Sequence, residues 1–187
     1  MIILQGENIK MPVPCVLTVG KFESLHLGHQ ALIAEMKNYA LPCAVVVFDP
    51  HPYKLFANPD YKPLLTNHER AILLEQMGID YLVEYPFNRN IAALTPQAFC
   101  RILFEDLQAR VIVVGEGYRF GHNRTGTVET LRKLAQHAGV QVKILTPQQV
   151  GERKISTSTI RALLSERKTR EAEALLGRNI PFHHNPW

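Results

Sequence analysis

Short hydrophobic runs alternate along the chain with longer segments in which hydrophobic residues recur at helical intervals. The runs at residues 15–19, 43–48 and 111–114 are almost entirely apolar, as is typical of strands buried on both faces of a parallel sheet. Two further strands are predicted at 79–83 and 140–145. Because helix-spaced segments separate the strands, the pattern predicts an α/β fold: a Rossmann-like doubly wound parallel sheet with helices on both faces.

Several helix starts are also marked in the sequence. Thr66 and Glu69 have the spacing of a capping box, and Thr95 followed by Pro96 is a typical first turn. Further helices are predicted at about 127–139, 156–164 and 169–176.

The composition favours one globular unit. The chain has 187 residues, of which 46% are hydrophobic and 20% are charged. This is enough apolar material for one sizeable core and too little length for two ordinary domains. The same composition excludes a disordered, collagen-like or disulfide-stapled protein.

The sequence also indicates where the protein works. It has no run of about 18 apolar residues, so we expect no membrane-spanning helix and no membrane partner. The N-terminus lacks the basic lead of a secretory signal. Cys15, Cys43 and Cys100 lie in apolar surroundings without metal-binding spacing, which favours buried thiols in a reducing cytoplasm.

The net charge is modestly positive. Lys and Arg number 21 and Asp and Glu number 17, which gives +4 at pH 7. Such an excess favours anionic ligands. No basic run with interleaved aromatic residues is present, so we do not expect a nucleic-acid partner.

Unusual segments follow predicted strands or open predicted helices, which is where ligands bind in doubly wound sheets. Residues 20–29 contain His26, Gly28 and His29 directly before a helix. A helix start offers free N–H groups and a positive dipole to phosphate, and imidazoles can donate to phosphate while titrating near neutral pH. Taken alone, the segment also fits an ordinary polar loop. A zinc site is a further option, but the two histidines have no nearby Cys and no HExxH pattern.

Two loops have the composition to hold a flat ligand. Residues 48–52 put His51 between two prolines, which stiffen the backbone. Residues 115–126 combine four glycines, two arginines and two aromatic residues, so that a ring could stack there and an arginine could bind phosphate. Taken alone, the first loop also fits a rigid surface turn and the second a mobile loop.

The last segment, residues 155–161, has four hydroxyl residues before Arg161 at a predicted helix start. One hydroxyl is enough for ordinary capping, which is worth about 1 kcal/mol of helix stability. The surplus hydroxyls and the guanidinium favour a phosphate chain.

In combination and in this order, the segments resemble the nucleotidyltransferase superfamily with an HxGH motif. More narrowly, they resemble the FMN adenylyltransferase domain of prokaryotic FAD synthetases, the bifunctional riboflavin kinase/FMN adenylyltransferases. The likeness extends from about Val13 to Arg178. The residues that match the family's four motifs are Gly20, Phe22, His26, Gly28 and His29; Phe48, Pro50, His51 and Pro52; Val114, Gly115, Phe120 and Gly121; and Ile155, Ser156, Ile160 and Arg161.

The chain departs from these motifs at three positions in the expected binding region. Glu23 and Ser24 replace an Asp and a Gly, and Gly117 lies where an acid or amide is usual. The sequence extends nine residues past Arg178. We therefore expect residues 1–187 to form a single nucleotidyltransferase domain without a riboflavin kinase domain.

The resemblance implies transfer of AMP from ATP to FMN, which gives FAD and pyrophosphate. It implies catalytic roles for His26, His29, Ser156, Thr157 and Arg161. It implies ATP binding by these five together with Gly20, Phe22, Gly28, Gly115 and Ser158. It implies flavin binding by Asp49, Pro50, His51, Pro52, Gly117, Tyr118, Arg119, Phe120 and Arg124. Mg²⁺ would accompany ATP, with no protein metal ligand expected, because it usually keeps water and phosphate as ligands.

Two alternatives remain at this point. A nucleotidyltransferase of the same superfamily could use another phosphorylated acceptor. A diverged paralogue could bind flavin or nucleotide without turnover, and the replacements at Glu23, Ser24 and Gly117 are the features in its favour.

Overall fold

The computed structural model describes residues 1–6, 8–146, 149–150 and 153–180. Its centre is a six-stranded sheet in the order β1-β4-β3-β2-β5-β6, in which every neighbouring pair is parallel. The strands are β1 (Ile2–Gln5), β2 (Cys15–Val19), β3 (Cys43–Asp49), β4 (Tyr81–Pro86), β5 (Ala109–Gly115) and β6 (Gln141–Leu145). The predicted parallel α/β architecture is confirmed.

Helices connect the strands. They are α1 (Leu27–Met36), α2 (Pro52–Phe56), α3 (Asn67–Gln76), α4 (Arg89–Ala92), α5 (Pro96–Arg101), α6 (Val128–His137), α7 (Thr157–Ser165) and α8 (Thr169–Leu176). A π-helical turn, Ile102–Asp106, extends α5, and a 3₁₀ turn, His122–Arg124, precedes α6. A short antiparallel pair, β7 (Gln149–Val150) and β8 (Arg153–Lys154), comes before α7.

The sheet is covered on both faces because successive side chains of a strand point to opposite sides. Val16 of β2 packs in one core with Ile33 of α1 and Leu74 of α3. Leu17, the next residue, packs in the other core with Phe99 of α5 and Leu131 of α6. Full burial of such a side chain contributes on the order of 2 kcal/mol, so the doubly wound arrangement has a strong hydrophobic basis.

A third hydrophobic cluster joins α7 and α8. Ile160 and Leu163 of α7 pack with Leu175 of α8, and Leu27 at the start of α1 packs against this cluster. The C-terminal helices are therefore attached to the rest of the domain beside the first turn of α1.

The predicted capping box is present. The Glu69 N–H donates to Thr66 Oγ1 at 3.2 Å, and the Thr66 N–H donates to Glu69 Oε2 at 2.8 Å. The three cysteines are buried and free, as predicted. Across the described ranges, no helix is both long and apolar enough to cross a bilayer.

Several elements differ from the sequence prediction, and the short elements α4, β7 and β8 were not predicted. β4 begins and ends two to three residues later than the predicted strand at 79–83. β1 was not predicted; it has only four residues, lies at the sheet edge and leaves Ile2 55% exposed. Helix α2 replaces part of the predicted stiff loop, because Pro52 occupies its first position and His51 caps it.

Candidate active site

The first turn of α1 is organised by its two histidines. The His29 N–H donates to His26 Nδ1 at 3.2 Å, so His26 is the N-cap. The two rings stack, with centroids 3.8 Å apart and planes 7° from parallel. A Cβ at Gly28 would lie 3.1 Å from the His26 ring. A glycine at this position therefore avoids a close contact with that ring.

Both imidazoles are neutral at physiological pH. Burial lowers the pKa of His26 from 6.5 to about 4 and lowers the pKa of His29 well below its usual range. The predicted titration near neutral pH is therefore wrong for these two side chains, because desolvation disfavours the cation. Since His26 Nδ1 accepts a hydrogen bond, its proton is on Nε2, so the ring can donate there without carrying charge.

The start of α7 lies against the loop that precedes α1. Ser156 is the N-cap of α7 and accepts from the Thr159 N–H at 3.1 Å. Ser24 Oγ and Thr157 Oγ1 are 3.0 Å apart and hydrogen-bonded. The two helix starts that the sequence singles out are thus direct neighbours. We call Ser24, His26, His29, Ser156 and Thr157 the helix-start cluster.

Arg178, beyond the C-terminus of α8, fixes the same loop. Its Nη2 donates to the Ser24 carbonyl at 2.8 Å and its Nη1 to the Leu25 carbonyl at 3.2 Å. The loop needs such support, because Phe22 and Leu25 are fully buried and have positive φ values of 46° and 45°. Sequence reasoning noted Arg178 only as part of a family resemblance, since its partners are backbone carbonyls about 150 residues earlier.

Glu23 is the centre of a second group, which we call the Glu23 cluster: Glu23, His51, Tyr61 and Arg161. Glu23 is 2% exposed. The Tyr61 hydroxyl donates to its Oε2 at 2.6 Å, and Arg161 Nη2 lies 3.4 Å from the same oxygen. His51 Nε2 lies 3.7 Å from Oε1. The cluster therefore joins three predicted site segments through one carboxylate.

Tyr61 was not predicted as a site residue. It lies in a proline-rich stretch without helix or strand periodicity, and its role arises from long-range contacts. Burial, the hydrogen bond to Glu23 and its charge raise the pKa of Tyr61, so the hydroxyl stays protonated and acts as the donor. Its ring stacks on His51, with centroids 4.8 Å apart.

The predicted site residues occupy different depths. His51 is buried, and its Nδ1 accepts from the Tyr53 N–H at 3.2 Å, capping α2. Phe22 is fully buried against the His29 ring, at 4.5 Å between centroids. Both residues support neighbouring groups. Ser158, in contrast, is exposed on the first turn of α7.

A cavity of about 770 Å³ opens beside these clusters. Gly20 and Lys21, which follow β2, are part of its wall and connect it to the loop that leads to His26. Pro52 and five predicted flavin residues of the glycine-rich loop also contribute to the wall; the five are Gly117, Tyr118, Arg119, Phe120 and Arg124. Gly115 ends β5, directly before this loop.

Aromatic side chains that sequence reasoning missed complete the cavity wall. Phe56 of α2 is 63% exposed and meets Phe87 edge-on, with ring centroids 5.8 Å apart. Phe87 also contacts Phe48, at 5.2 Å. The predicted flavin residues Asp49, Pro50 and His51 are not in the cavity wall; Asp49 and Pro50 form a cis peptide bond at the end of β3.

The described residues contain no group of three or more His, Cys, Asp or Glu side chains that could hold a metal ion.

The fold and these clusters define a class: a Rossmann-like α/β protein with two helix starts paired beyond the carboxyl end of the interior strand β2. The sequence matches the model of the FAD synthetase family over residues 8–159. A FAD synthetase from Listeria monocytogenes is 33% identical over 92% of this chain and 69% of that protein. The chain belongs to the FAD synthetase family.

Further relatives differ in length and in name. The bifunctional riboflavin kinase/FMN adenylyltransferase of Escherichia coli K12 is 34% identical, over 87% of this chain and 54% of that protein. This chain thus spans about half the length of such relatives. A Streptococcus pneumoniae structure described as a macrolide-efflux protein superposes with a TM-score of 0.84, at 29% identity, over 95% of this chain and 60% of that one.

More distant structures share the fold alone. Pantothenate synthetase from Thermus thermophilus superposes with a TM-score of 0.56 at 19% identity, over 89% of this chain and 68% of that chain.

Proposed function

We propose that this chain transfers AMP from ATP to FMN and releases FAD and pyrophosphate. The observation that carries the proposal is the Ser24–Thr157 hydrogen bond, which joins two helix starts beside a large aromatic cavity. Such a pair of helix starts suits a polyphosphate, and the cavity suits a planar ring system. The single parallel sheet also supports our expectation of one nucleotidyltransferase domain.

The proposed reaction requires alignment more than acid–base chemistry. An oxygen of the FMN phosphate attacks the α-phosphorus of ATP, a new P–O bond forms, and the bond to the pyrophosphate oxygen breaks. The attacking phosphate is already ionised, so no side chain has to remove a proton. The protein would act by holding the two phosphates in line and by stabilising the charge that develops on the leaving group.

The helix-start cluster has donors for that task. The neutral ring of His26 can donate through Nε2, and Nδ1 of His29 is buried without a hydrogen-bond partner among the described residues. Ser156 and Thr157 would donate to the β- and γ-phosphates, with Arg161 nearby to offset charge. Mg²⁺, bound through the ATP phosphates, would neutralise part of the triphosphate charge.

The cavity supports a phosphorylated aromatic acceptor. Its wall combines the aromatic residues Phe56, Phe87 and Tyr118 with cationic side chains, which are Lys21, Arg89, Arg119 and Arg124. Rings offer stacking surfaces for an isoalloxazine, and the cations would favour FMN over uncharged riboflavin. A smaller acceptor, used by another enzyme of the superfamily, would contact only a small part of this aromatic wall.

The test is incubation with ATP and Mg²⁺ plus either FMN or riboflavin, followed by chromatography for FAD and an assay for pyrophosphate. FMN should give both products in equal amounts. Riboflavin is the matched control, since it lacks the attacking phosphate and should give neither. Saturable FMN binding without products would overturn the proposal in favour of a binding module, and turnover with another phosphorylated acceptor would overturn the assignment of FMN.

A further inference from the structure

The Glu23 carboxylate contacts groups from separate parts of the chain. Its Oε2 accepts from the Tyr61 hydroxyl at 2.6 Å and lies 3.4 Å from Arg161 Nη2, while its Oε1 faces His51 Nε2 at 3.7 Å. With 2% exposure, this carboxylate lies beneath the site surface and has little contact with solvent. A buried carboxylate is costly unless its charge is paired, and here Arg161 supplies the cation.

Arg161 is held on three sides. Besides Glu23, its Nη2 donates to the Lys62 carbonyl at 2.5 Å, and its guanidinium carbon lies 4.6 Å from the centroid of the Tyr61 ring. The side chain is 24% exposed, so part of it reaches the surface, on the face of α7 that also carries Thr157 one turn earlier. Arginine has many rotamers in solution, and fixing one of them in advance removes an entropy cost from ligand binding.

Simple charge attraction predicts the opposite role for Glu23. A carboxylate near a triphosphate repels it, so the Coulomb term alone predicts tighter ATP binding when Glu23 is neutralised. Ordering of Arg161 predicts weaker binding after the same change. The sign of the effect therefore distinguishes the two roles.

We propose that Glu23 is a positioning residue, which fixes the Arg161 guanidinium for the triphosphate of ATP with Tyr61 as its second anchor. The proposal rests on the proposed function, because it assumes that ATP binds at the helix-start cluster. It also explains the side-chain length at this position. An aspartate would withdraw the carboxylate by roughly 1.5 Å, the length of one C–C bond, and would lengthen its contacts with Tyr61 and Arg161.

The test is the affinity of a non-hydrolysable ATP analogue with Mg²⁺, measured by titration calorimetry. Glu23→Gln should bind about tenfold more weakly than the wild type, because Arg161 loses its charged anchor. Glu23→Asp should lose less, since the charge remains. Unchanged or tighter binding by Glu23→Gln would overturn the proposal.

Further variants separate positioning from a general loss of structure. Tyr61→Phe keeps the buried carboxylate and removes one anchor, so a loss of a few-fold is expected even if Glu23→Gln fails to fold; unchanged binding would count against the proposal. In an Arg161→Met background, Glu23→Gln should weaken binding no further. An equal additional loss there would show that Glu23 acts by another route.

Glu35→Gln is the matched control, because Glu35 is a partly exposed carboxylate on α1, 3.5 Å from Lys143, and its variant should bind the analogue normally. In turnover, Glu23→Gln should raise the KM for ATP and leave the KM for FMN unchanged. A wild-type chain that binds the analogue without making FAD would overturn the proposed reaction only. Normal FAD formation with undiminished analogue binding in Glu23→Gln would overturn the role of Glu23 only.

Discussion

In the helix-start and Glu23 clusters, polar side chains from distant parts of the chain bond directly to one another, as Ser24 does with Thr157 and Tyr61 with Glu23. In the cavity, the contacts are between aromatic rings, such as Phe56 with Phe87. Hydrogen bonds are directional and fix atoms in place, whereas apolar contacts tolerate adjustment. Hydrogen bonds thus hold the two polar clusters in fixed positions, whereas the aromatic wall of the cavity can adjust to a bound ring.

This difference assigns different consequences to the two regions. In the proposed reaction, changes in the polar clusters should alter the rate, ATP use or pH response, because alignment there would determine the barrier. Changes in the cavity should alter acceptor affinity with little effect on the rate at saturation.

The largest effect is expected at the helix-start cluster. His29→Ala removes a group assigned to transition-state charge, so turnover should fall at least about 100-fold, as it does for single electrostatic donors elsewhere. The measurement is the initial rate of FAD formation, with circular dichroism to verify the fold. His137→Ala, at the exposed C-terminal end of α6, is the control. Full activity in His29→Ala would remove His29 from the mechanism.

Acid should destabilise the Glu23 cluster. Burial lowers the pKa of His51 from 6.5 to about 4, although Glu23 opposes the shift. The folded state therefore disfavours the imidazolium, and its contribution to stability is present above pH 6.5 and lost as the pH falls towards 4. Between about pH 7 and pH 5, the wild type should lose on the order of 2 kcal/mol more unfolding free energy than His51→Asn.

Urea unfolding at the two pH values measures this difference. Asparagine keeps a side-chain acceptor for the first turn of α2 and does not titrate, which makes it the matched variant. Equal losses of unfolding free energy in both proteins would show that His51 has the same pKa in the folded and unfolded states.

A smaller effect is expected for Arg161→Lys. Lysine keeps the positive charge and cannot reproduce the planar fork of the guanidinium or its stacking on Tyr61. The KM for ATP should rise roughly tenfold. Arg132→Lys on the exposed face of α6 serves as the control. A normal response to ATP would refute the proposed role of Arg161.

The smallest effect is expected in the cavity. Phe56→Ala removes a ring that is 63% exposed, so stability should change little. If that ring covers the flavin, FMN binding should weaken about fivefold, in line with one aromatic contact. Fluorescence quenching of FMN gives the affinity, and Ile72→Ala, another exposed apolar residue, is the control. A strong loss of rate at saturating FMN would contradict the expectation that changes in the cavity affect acceptor affinity alone.

The main fold could be predicted because buried parallel strands are almost wholly apolar, as in β2 and β3. β1 escaped prediction because an exposed four-residue edge strand has little hydrophobic pattern. The two helix starts of the helix-start cluster could be located from the sequence, because capping hydroxyls and glycine mark helix starts locally. The Ser24–Thr157 bond that joins them could not, because it spans 133 residues. Tyr61 was not predictable either, because its partners are Glu23 and Arg161, 38 and 100 residues away, and only the folded sheet brings these residues together.

Gly117 is a position in the cavity wall where a side chain could be added without a clash. A Cβ built there meets nothing within 4 Å, and its backbone does not require glycine. New functional groups can therefore be introduced at this point of the wall by simple substitution, without repacking the domain. Position 117 is therefore suited to redesign of the acceptor preference that belongs to the proposed function.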